Sequence, residues 1–386
     1  MTMTLVPRRR ILGAALAVAA GLAMVPQPAH AATTDALSLP APTGPHHVGA
    51  SWLYLKDTSR ADPWVPSEPA RELMVTMWYP TNVDRGATIA YETPAESAGF
   101  IAGKHVEAYF PPDSLSQVST HAYRNAPPTG RPHSLPLIVL SPGYTEQRSA
   151  LTSLAEDLAS HGYVVAAIDH TYETYAIQFP DGRVATCATC AIDDGPDQDA
   201  FFAKLYQVHA ADVSFVLNRL TGRKPAWSGS RLIDPARIGM SGHSSGGAAA
   251  LTAMVADPRI DAGIDMDGTT RDQVPAIGLK RPFMFLGTHD GHSPGQDPTW
   301  DQDFGRLTGW RRWLTVAGTV HISFTDLQAL ADQAGLTDPA TTKGMRSIAI
   351  TRAYNLAMFD RTLRHVPQPL VNTASSRFPE VSIVAK

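Results

Sequence analysis

Gly242-His243-Ser244-Ser245-Gly246-Gly247 has the G-x-S-x-G spacing that sets a serine on a sharp turn. Arg237–Met240 before it reads as a strand, and the Ala-rich stretch 248–256 after it as a helix. The chemistry of such a turn is nucleophilic attack on an acyl carbonyl. Its neighbours must carry little or no side chain, because the backbone passes close to itself. The N–H groups that open the helix then point at a developing oxyanion. Ser244 holds the nucleophile's position, and Ser245 offers its backbone N–H rather than its hydroxyl. His243 is read as packing beneath the turn.

A serine so placed needs a base, and an acid to orient that base. On strand–turn–helix elbows they follow along the chain as acid, then histidine. His321 lies in Ala317-Gly318-Thr319-Val320-His321, directly after the strand Trp313–Val316. His365 is read as a solvated residue of the last helix. His289 and His292 follow the strand Pro282–Leu286, where an acid or a substrate loop belongs. Two aspartates compete for the acid. Asp267 ends the strand Ala262–Met266 and Asp290 follows the next one; spacing alone divides them nearly evenly. Asp265, inside its strand, reads as a polar contact or an edge residue.

The elements that position these residues alternate. Leu137–Leu140 is an apolar run typical of a buried parallel strand. Residues 149–160 carry Leu151, Leu154, Ala155 and Leu158 at helical spacing, and Tyr163–Ile168 is a second strand. Phe201–Leu220 and 345–364 read as helices. Alternation of strand and helix predicts an α/β fold, a mostly parallel sheet with helices on both faces. Two earlier strands, Ser51–Lys56 and Arg71–Tyr79, the second stopped by Pro80, add an antiparallel edge. Residues 81–136, rich in Pro, Ser and Gly with a helical patch at 98–109, read as a surface excursion. The expected organisation is one catalytic domain over 48–386 behind a mobile leader over 32–47.

Residues 137–321 resemble the secreted platelet-activating-factor acetylhydrolase-like branch of the α/β hydrolases. The matching stretches are LPLIVLSPGYTEQRSALTSLAEDLASHGYVVAAIDH, GHSSGG, AGIDMDG and AGTVHISFTD, with DTSRADPWVPSEPARELMVTMWYP upstream. The resemblance implies an α/β-hydrolase fold and carboxylic-ester hydrolysis. It places the acid in a segment like Gly263–Asp267, which favours Asp267 over Asp290. SPGYT and LASHGYVV also resemble actinobacterial cutinases and polyester hydrolases. That branch has its acid after the next strand, at a position filled here by Gly291, and a GHSMGGG elbow that this chain lacks. Both branches put the second oxyanion donor after Pro-Gly. That implies the Tyr144 N–H beside the Ser245 N–H, with the Tyr144 ring along the acyl site.

Composition narrows the partners. Apolar residues make up 44% and charged residues 18%, which argues against a disordered chain. The formal net charge is −4 and no basic run exists beyond the first ten residues, against a nucleic-acid surface. Arg8-Arg9-Arg10, the apolar Ile11–Val25 and Ala29-His30-Ala31 form a secretory signal peptide over 1–31, cut before Ala32. Its Arg-Arg-x-apolar-apolar start resembles a bacterial twin-arginine signal, and its apolar stretch is too short for a membrane anchor. In an exported chain Cys187 and Cys190 read as a disulfide staple rather than half a zinc site. Trp300, Trp310 and Trp313 read as core or rim. The expected protein is a secreted monomer that uses no cofactor and no metal. It hydrolyses short- to medium-acyl esters of small molecules, lipids or polymers through an acyl-enzyme. A polyester hydrolase, or an acyltransferase or peptidase with the same triad, is the alternative.

Overall fold

Neighbouring residues of the run Leu137-Ile138-Val139-Leu140 are buried in different cores, which is why the run is apolar without a break. In the computed structural model, which describes residues 36–193, 195–271, 273–336 and 338–385, all four are fully buried. Ile138 and Leu140 face one apolar layer, and Leu137 and Val139 face the other. Side chains alternate across a strand, so a sheet covered on both faces needs apolar residues at every position.

The strands are β1 (His47–Asp57), β2 (Arg71–Thr81), β3 (Tyr123–Arg124), β4 (Leu135–Ser141), β5 (Val164–Asp169), β6 (Ile177–Gln178), β7 (Val184–Ala185), β8 (Ile233–His243), β9 (Ala262–Met266), β10 (Phe283–Thr288), β11 (Arg311–Val316) and β12 (Val381–Ala385). The helices are α1 (Pro94–Gly103), α2 (Thr152–Ser160), α3 (Gln198–Thr221), α4 (Ser245–Ala256), α5 (His289–His292), α6 (Pro298–Arg306), α7 (Leu327–Gln333) and α8 (Gly344–Leu363). The main sheet runs β12-β11-β10-β9-β8-β4-β5-β2-β1-β3. From β5 to β11 it is parallel; β1, β2 and β12 supply antiparallel pairings. Helices α2 and α8 pack on one face, α3 and α4 on the other. This is the α/β-hydrolase fold. The chain runs from β4 outward to β5 and then returns to β8 on the other side of β4. The carboxyl ends of β4 and β8 therefore flank a topological switch point, where open α/β sheets place their ligands.

Several expectations need correction. The mobile leader expected over 32–47 is packed from residue 36 onward. Leu39 is buried, Thr43 N donates to Asp157 Oδ1 at 2.7 Å, and Arg352 of α8 donates to the carbonyls of Pro40 and Ala41. One compact unit spans Ala36–Lys386. Pro80 does not stop β2. It lies beyond the last residue paired with β5, Trp78, so its missing N–H costs no bond there. Residues 81–136 are more than a surface excursion. Tyr91, Phe100, Ile101, Leu115 and Val118 form a small apolar core with Leu39 and Leu330, and Ile89 and Ala122 join the main one. His365 lies past the end of α8. The hairpin β6–β7 escapes sequence reading because two-residue strands show no period. Trp300 and Trp313 are core residues, and Trp310 is half-buried. The signal peptide over 1–31 lies outside the described residues. Among those described, no helix is long and apolar enough to cross a membrane.

Candidate active site

Strand β8 ends at His243 and α4 begins at Ser245, which leaves Ser244 as the single residue between them. Its backbone sits at φ 54°, ψ −123°, a left-handed φ that is uncommon for a residue with a side chain. The strain persists because the surroundings leave no alternative. A Cβ on Gly242 would lie 2.3 Å from the Gly246 carbonyl carbon, and one on Gly246 2.1 Å from the Ser141 carbonyl oxygen. The two glycines thus let the chain reverse and press the first turn of α4 against the loop that leaves β4. Ser244 N donates to the Met266 carbonyl at 2.8 Å, which ties the elbow to the end of the neighbouring strand β9.

Asp267 is the first residue past β9 and also has a positive φ, 62°. That turn aims its carboxylate at His321, which opens a 3₁₀ turn after β11. His321 Nδ1 lies 2.7 Å from Asp267 Oδ2, and Asp267 Oδ1 accepts from Thr288 N at 2.6 Å. Burial works against the Asp267 charge, but the bond to His321 and the nearby His292 hold its carboxyl below the usual aspartate value. With Nδ1 committed to a carboxylate, Nε2 is the nitrogen left for other chemistry. The His321 side chain is half exposed, as a residue that meets substrate must be. Ser244 Oγ makes no hydrogen bond among the described residues. Asp290 is exposed on α5 and makes no hydrogen bond or ion pair with His321 among the described residues. The even division that spacing left between the two aspartates is resolved in space: Asp267 meets His321 and Asp290 does not.

The N–H groups of Tyr144 and Ser245 have no hydrogen-bond acceptor among the described residues. Ser245 N–H is one of the unpaired donors that every helix start carries. The Ser245 hydroxyl is buried without a partner. Tyr144 N–H opens from the loop after β4, which touches the start of α4 through Gly246. The Tyr144 ring packs edge-on against Phe201 and Phe202, and its hydroxyl lies 3.1 Å from both Thr189 Oγ1 and Asp193 Oδ2. Cys187 and Cys190 are joined in a disulfide on that same turn.

Sequence reasoning missed what lies underneath. Ser141 Oγ sits between His170 Nε2 at 3.0 Å and His209 Nδ1 at 3.3 Å, and the two rings stack 3.5 Å apart. His170 Nδ1 is 2.8 Å from Asp212, and His209 Nε2 is 2.5 Å from Glu173. The fully buried Arg71 joins Asp62, Glu173 and Asp212. Burial, with His209 alongside, pushes His170 down to about 4. Thr145 N donates to the Glu173 carbonyl at 3.0 Å, so this network anchors the Tyr144 loop from below. The signal that could have found it is the run Asp169–Glu173, which holds a histidine and two carboxylates at the carboxyl end of β5. Also missed is Glu146, whose carboxylate takes the His243 Nδ1–H at 3.0 Å. Asp265 does act as a polar contact: its Oδ1 accepts from Gly268 N at 2.9 Å and so steadies the Asp267 turn. Among the described residues no group of three or more His, Cys, Asp or Glu side chains is arranged to hold a metal ion.

The chain is similar to known esterases and acetylhydrolases. Residues 31–180 match the family model of platelet-activating factor acetylhydrolase, isoform II. A probable 1-alkyl-2-acetylglycerophosphocholine esterase of Arthroderma benhamiae is 27% identical over 89% of this chain and 92% of its own. Cutinase 1 of Thermobifida cellulosilytica is 31% identical over 33% of this chain and 38% of its own. Among solved structures, a ferulic acid esterase from Streptomyces cinnamoneus superposes with a TM-score of 0.79 at 38% identity, covering 90% of this chain and 99% of that one.

Proposed function

The chain belongs to the α/β-hydrolase esterases related to platelet-activating factor acetylhydrolase and cutinase and is a carboxylic ester hydrolase; from that premise we propose that it works as an exported serine enzyme through an acyl-enzyme. Ser244 Oγ attacks the ester carbonyl while His321 Nε2 takes its proton. Asp267 holds the imidazole and stabilises the imidazolium. The Tyr144 and Ser245 N–H groups receive the oxyanion. The tetrahedral intermediate collapses, the C–O bond breaks, and His321 returns the proton to the leaving alcohol. Water then repeats the sequence on the acyl-enzyme. The observation that carries this reading is the strained Ser244 beside an Asp267–His321 pair whose Nε2 is left available.

The substrates we propose are short- to medium-acyl esters. A second reading, an aromatic acyl group, is favoured by the wall of Tyr144, Phe201 and Phe202 beside the proposed oxyanion donor and by the ferulic acid esterase likeness. The test is kcat/KM on nitrophenyl esters of rising chain length, run beside a feruloyl ester, an acetylated phospholipid and a polyester film. A maximum at short or medium chains is expected. A maximum at the feruloyl ester installs the second reading, and activity confined to the film installs the cutinase one.

Tyr144 supplies a backbone donor in this scheme. Tyr144→Phe removes only the hydroxyl bonded to Thr189 and Asp193. It should leave kcat/KM within about threefold of the parent, against the hundredfold or more that losing an oxyanion donor costs. A loss of that larger size would give the phenol itself the role. Export through the twin-arginine route is part of the proposal. Secreted protein should begin near Ala32, and replacing Arg8 and Arg9 by Lys should stop its release. Secreted material that keeps Met1 would overturn the signal assignment.

A further inference from the structure

His243 lies between the two loops on which the proposed chemistry depends. Its Nδ1 is 3.0 Å from Glu146 Oε2, and its Nε2 is 2.8 Å from the His321 carbonyl oxygen. The same Glu146 oxygen accepts from Gly143 N at 3.2 Å, in the loop that presents Tyr144. One imidazole ring therefore spans the oxyanion loop and the general-base turn. Its centroid is 4.5 Å from that of His321.

The hydrogen-bond count ties the protonation state of this ring to that of Glu146. A backbone carbonyl and a carboxylate both accept, whereas a neutral imidazole has a single N–H to give. With Glu146 ionised, both bonds are made together only by an imidazolium. We propose that His243 is a positioning residue, held as an imidazolium between the Glu146 carboxylate and the His321 carbonyl, which locks the oxyanion loop and the general-base turn into one register and releases it on losing its proton. The proposal rests on the triad reading above.

The surroundings favour the charged form. Burial opposes a charge on His243, but Glu146 more than offsets it and raises the ring above the usual histidine value. Burial likewise opposes the Glu146 charge, yet His243, Lys104 and His321 hold it down to about 2. The charged and titratable groups that face the pair are the buried Tyr91 ahead of α1, Lys104 past its end, Asp267 past β9 and His321 past β11. The sign follows. A histidine whose value is raised on folding contributes stability below its unfolded value and loses it as pH rises through the folded one. The clamp is thus intact below the ordinary histidine value and opens as pH rises through the raised one. A Ser-His-Asp triad alone has no such loss, because its base works in the neutral form. The clamp therefore adds an alkaline limb to kcat.

The test is kcat and KM from pH 5 to 10 on a soluble nitrophenyl ester, with uncatalysed hydrolysis subtracted, for the parent, Glu146→Gln, His243→Gln and Ser244→Ala. The parent should show an alkaline decline in kcat. Glu146→Gln should move that decline at least one pH unit lower and reduce kcat at pH 7 by about tenfold to a hundredfold, with KM within about threefold. His243→Gln should lower kcat and abolish the limb, since glutamine does not titrate. A purely structural role would instead lower kcat equally at every pH. A limb of unchanged shape in both variants, or a parent with no limb, overturns the clamp. If His243→Gln does not fold, the near-isosteric Glu146→Gln decides alone by whether its limb moves. Activity surviving in Ser244→Ala would bring down the triad reading and the clamp together. A dead Ser244→Ala together with limbs in Glu146→Gln and His243→Gln that match the parent's brings down the clamp only.

Discussion

Ser244→Ala is expected to lower kcat by on the order of 10⁶ while the protein still folds. The hydroxyl makes no hydrogen bond among the described residues, so its loss orphans no buried group. Alanine keeps the same Cβ at the strained φ of 54° and adds no new backbone penalty. Thermal melts should accordingly stay close to those of the parent. What remains is catalysis by the oxyanion donors and by substrate binding alone. A serine-reactive organophosphate should label the parent at Ser244 and leave the variant unlabelled. Ser245→Ala is the control: that hydroxyl is buried without a partner, so removing it should spare kcat. Labelling at Ser245, or near-parental activity in Ser244→Ala, would refute the nucleophile assignment.

Asp267→Asn is expected to cost roughly 10⁴ in kcat. The carboxylate takes the Nδ1–H of His321 at 2.7 Å, which leaves the Nε2 lone pair for the serine proton. An amide in its place can present N–H to Nδ1. It then stabilises the tautomer whose Nε2 is already protonated, and it no longer compensates the imidazolium. The fold should tolerate the change. Asparagine adopts positive φ readily, and its Oδ1 can still accept from Thr288 N. Asp290→Asn should cost less than about tenfold, because that side chain is exposed on α5 and His321 is paired with Asp267 instead. The measurement is kcat for both variants on one soluble ester, with melts as the folding check. A large loss at Asp290 and a small one at Asp267 would instead place the acid after β10, the strand that the cutinase-like branch uses.

These two aspartates show where sequence reading stops. Both follow strands, and nothing in their spacing separates them. The choice depends on the turn after each strand. Asp267 swings inward at φ 62°, while Asp290 is carried outward within a four-residue helix. The mobile leader was misread for a similar reason. Ala, Thr and Pro look like slack chain, but the carbonyls of Pro40 and Ala41 are held by Arg352 more than 300 residues later.

What the sequence determined by itself is everything that rests on local pattern. The glycines that frame Ser244 specify a turn no bulkier residues can make. The unbroken apolar runs specify strands covered on both faces. The order serine, aspartate, histidine along alternating strands names the fold and the chemistry it can host. What only the tertiary structure decided is how residues distant in sequence meet at the carboxyl ends of those strands. Glu146 is 97 positions from His243, and Ser141 is 68 from His209. Neither pair leaves a period or a motif in the chain. They come together because the sheet order sets β4 beside β8 and packs α3 under the loop that follows β4. Once buried, a charged side chain must find a partner or lose its charge, and which partner it finds is a property of the packed fold.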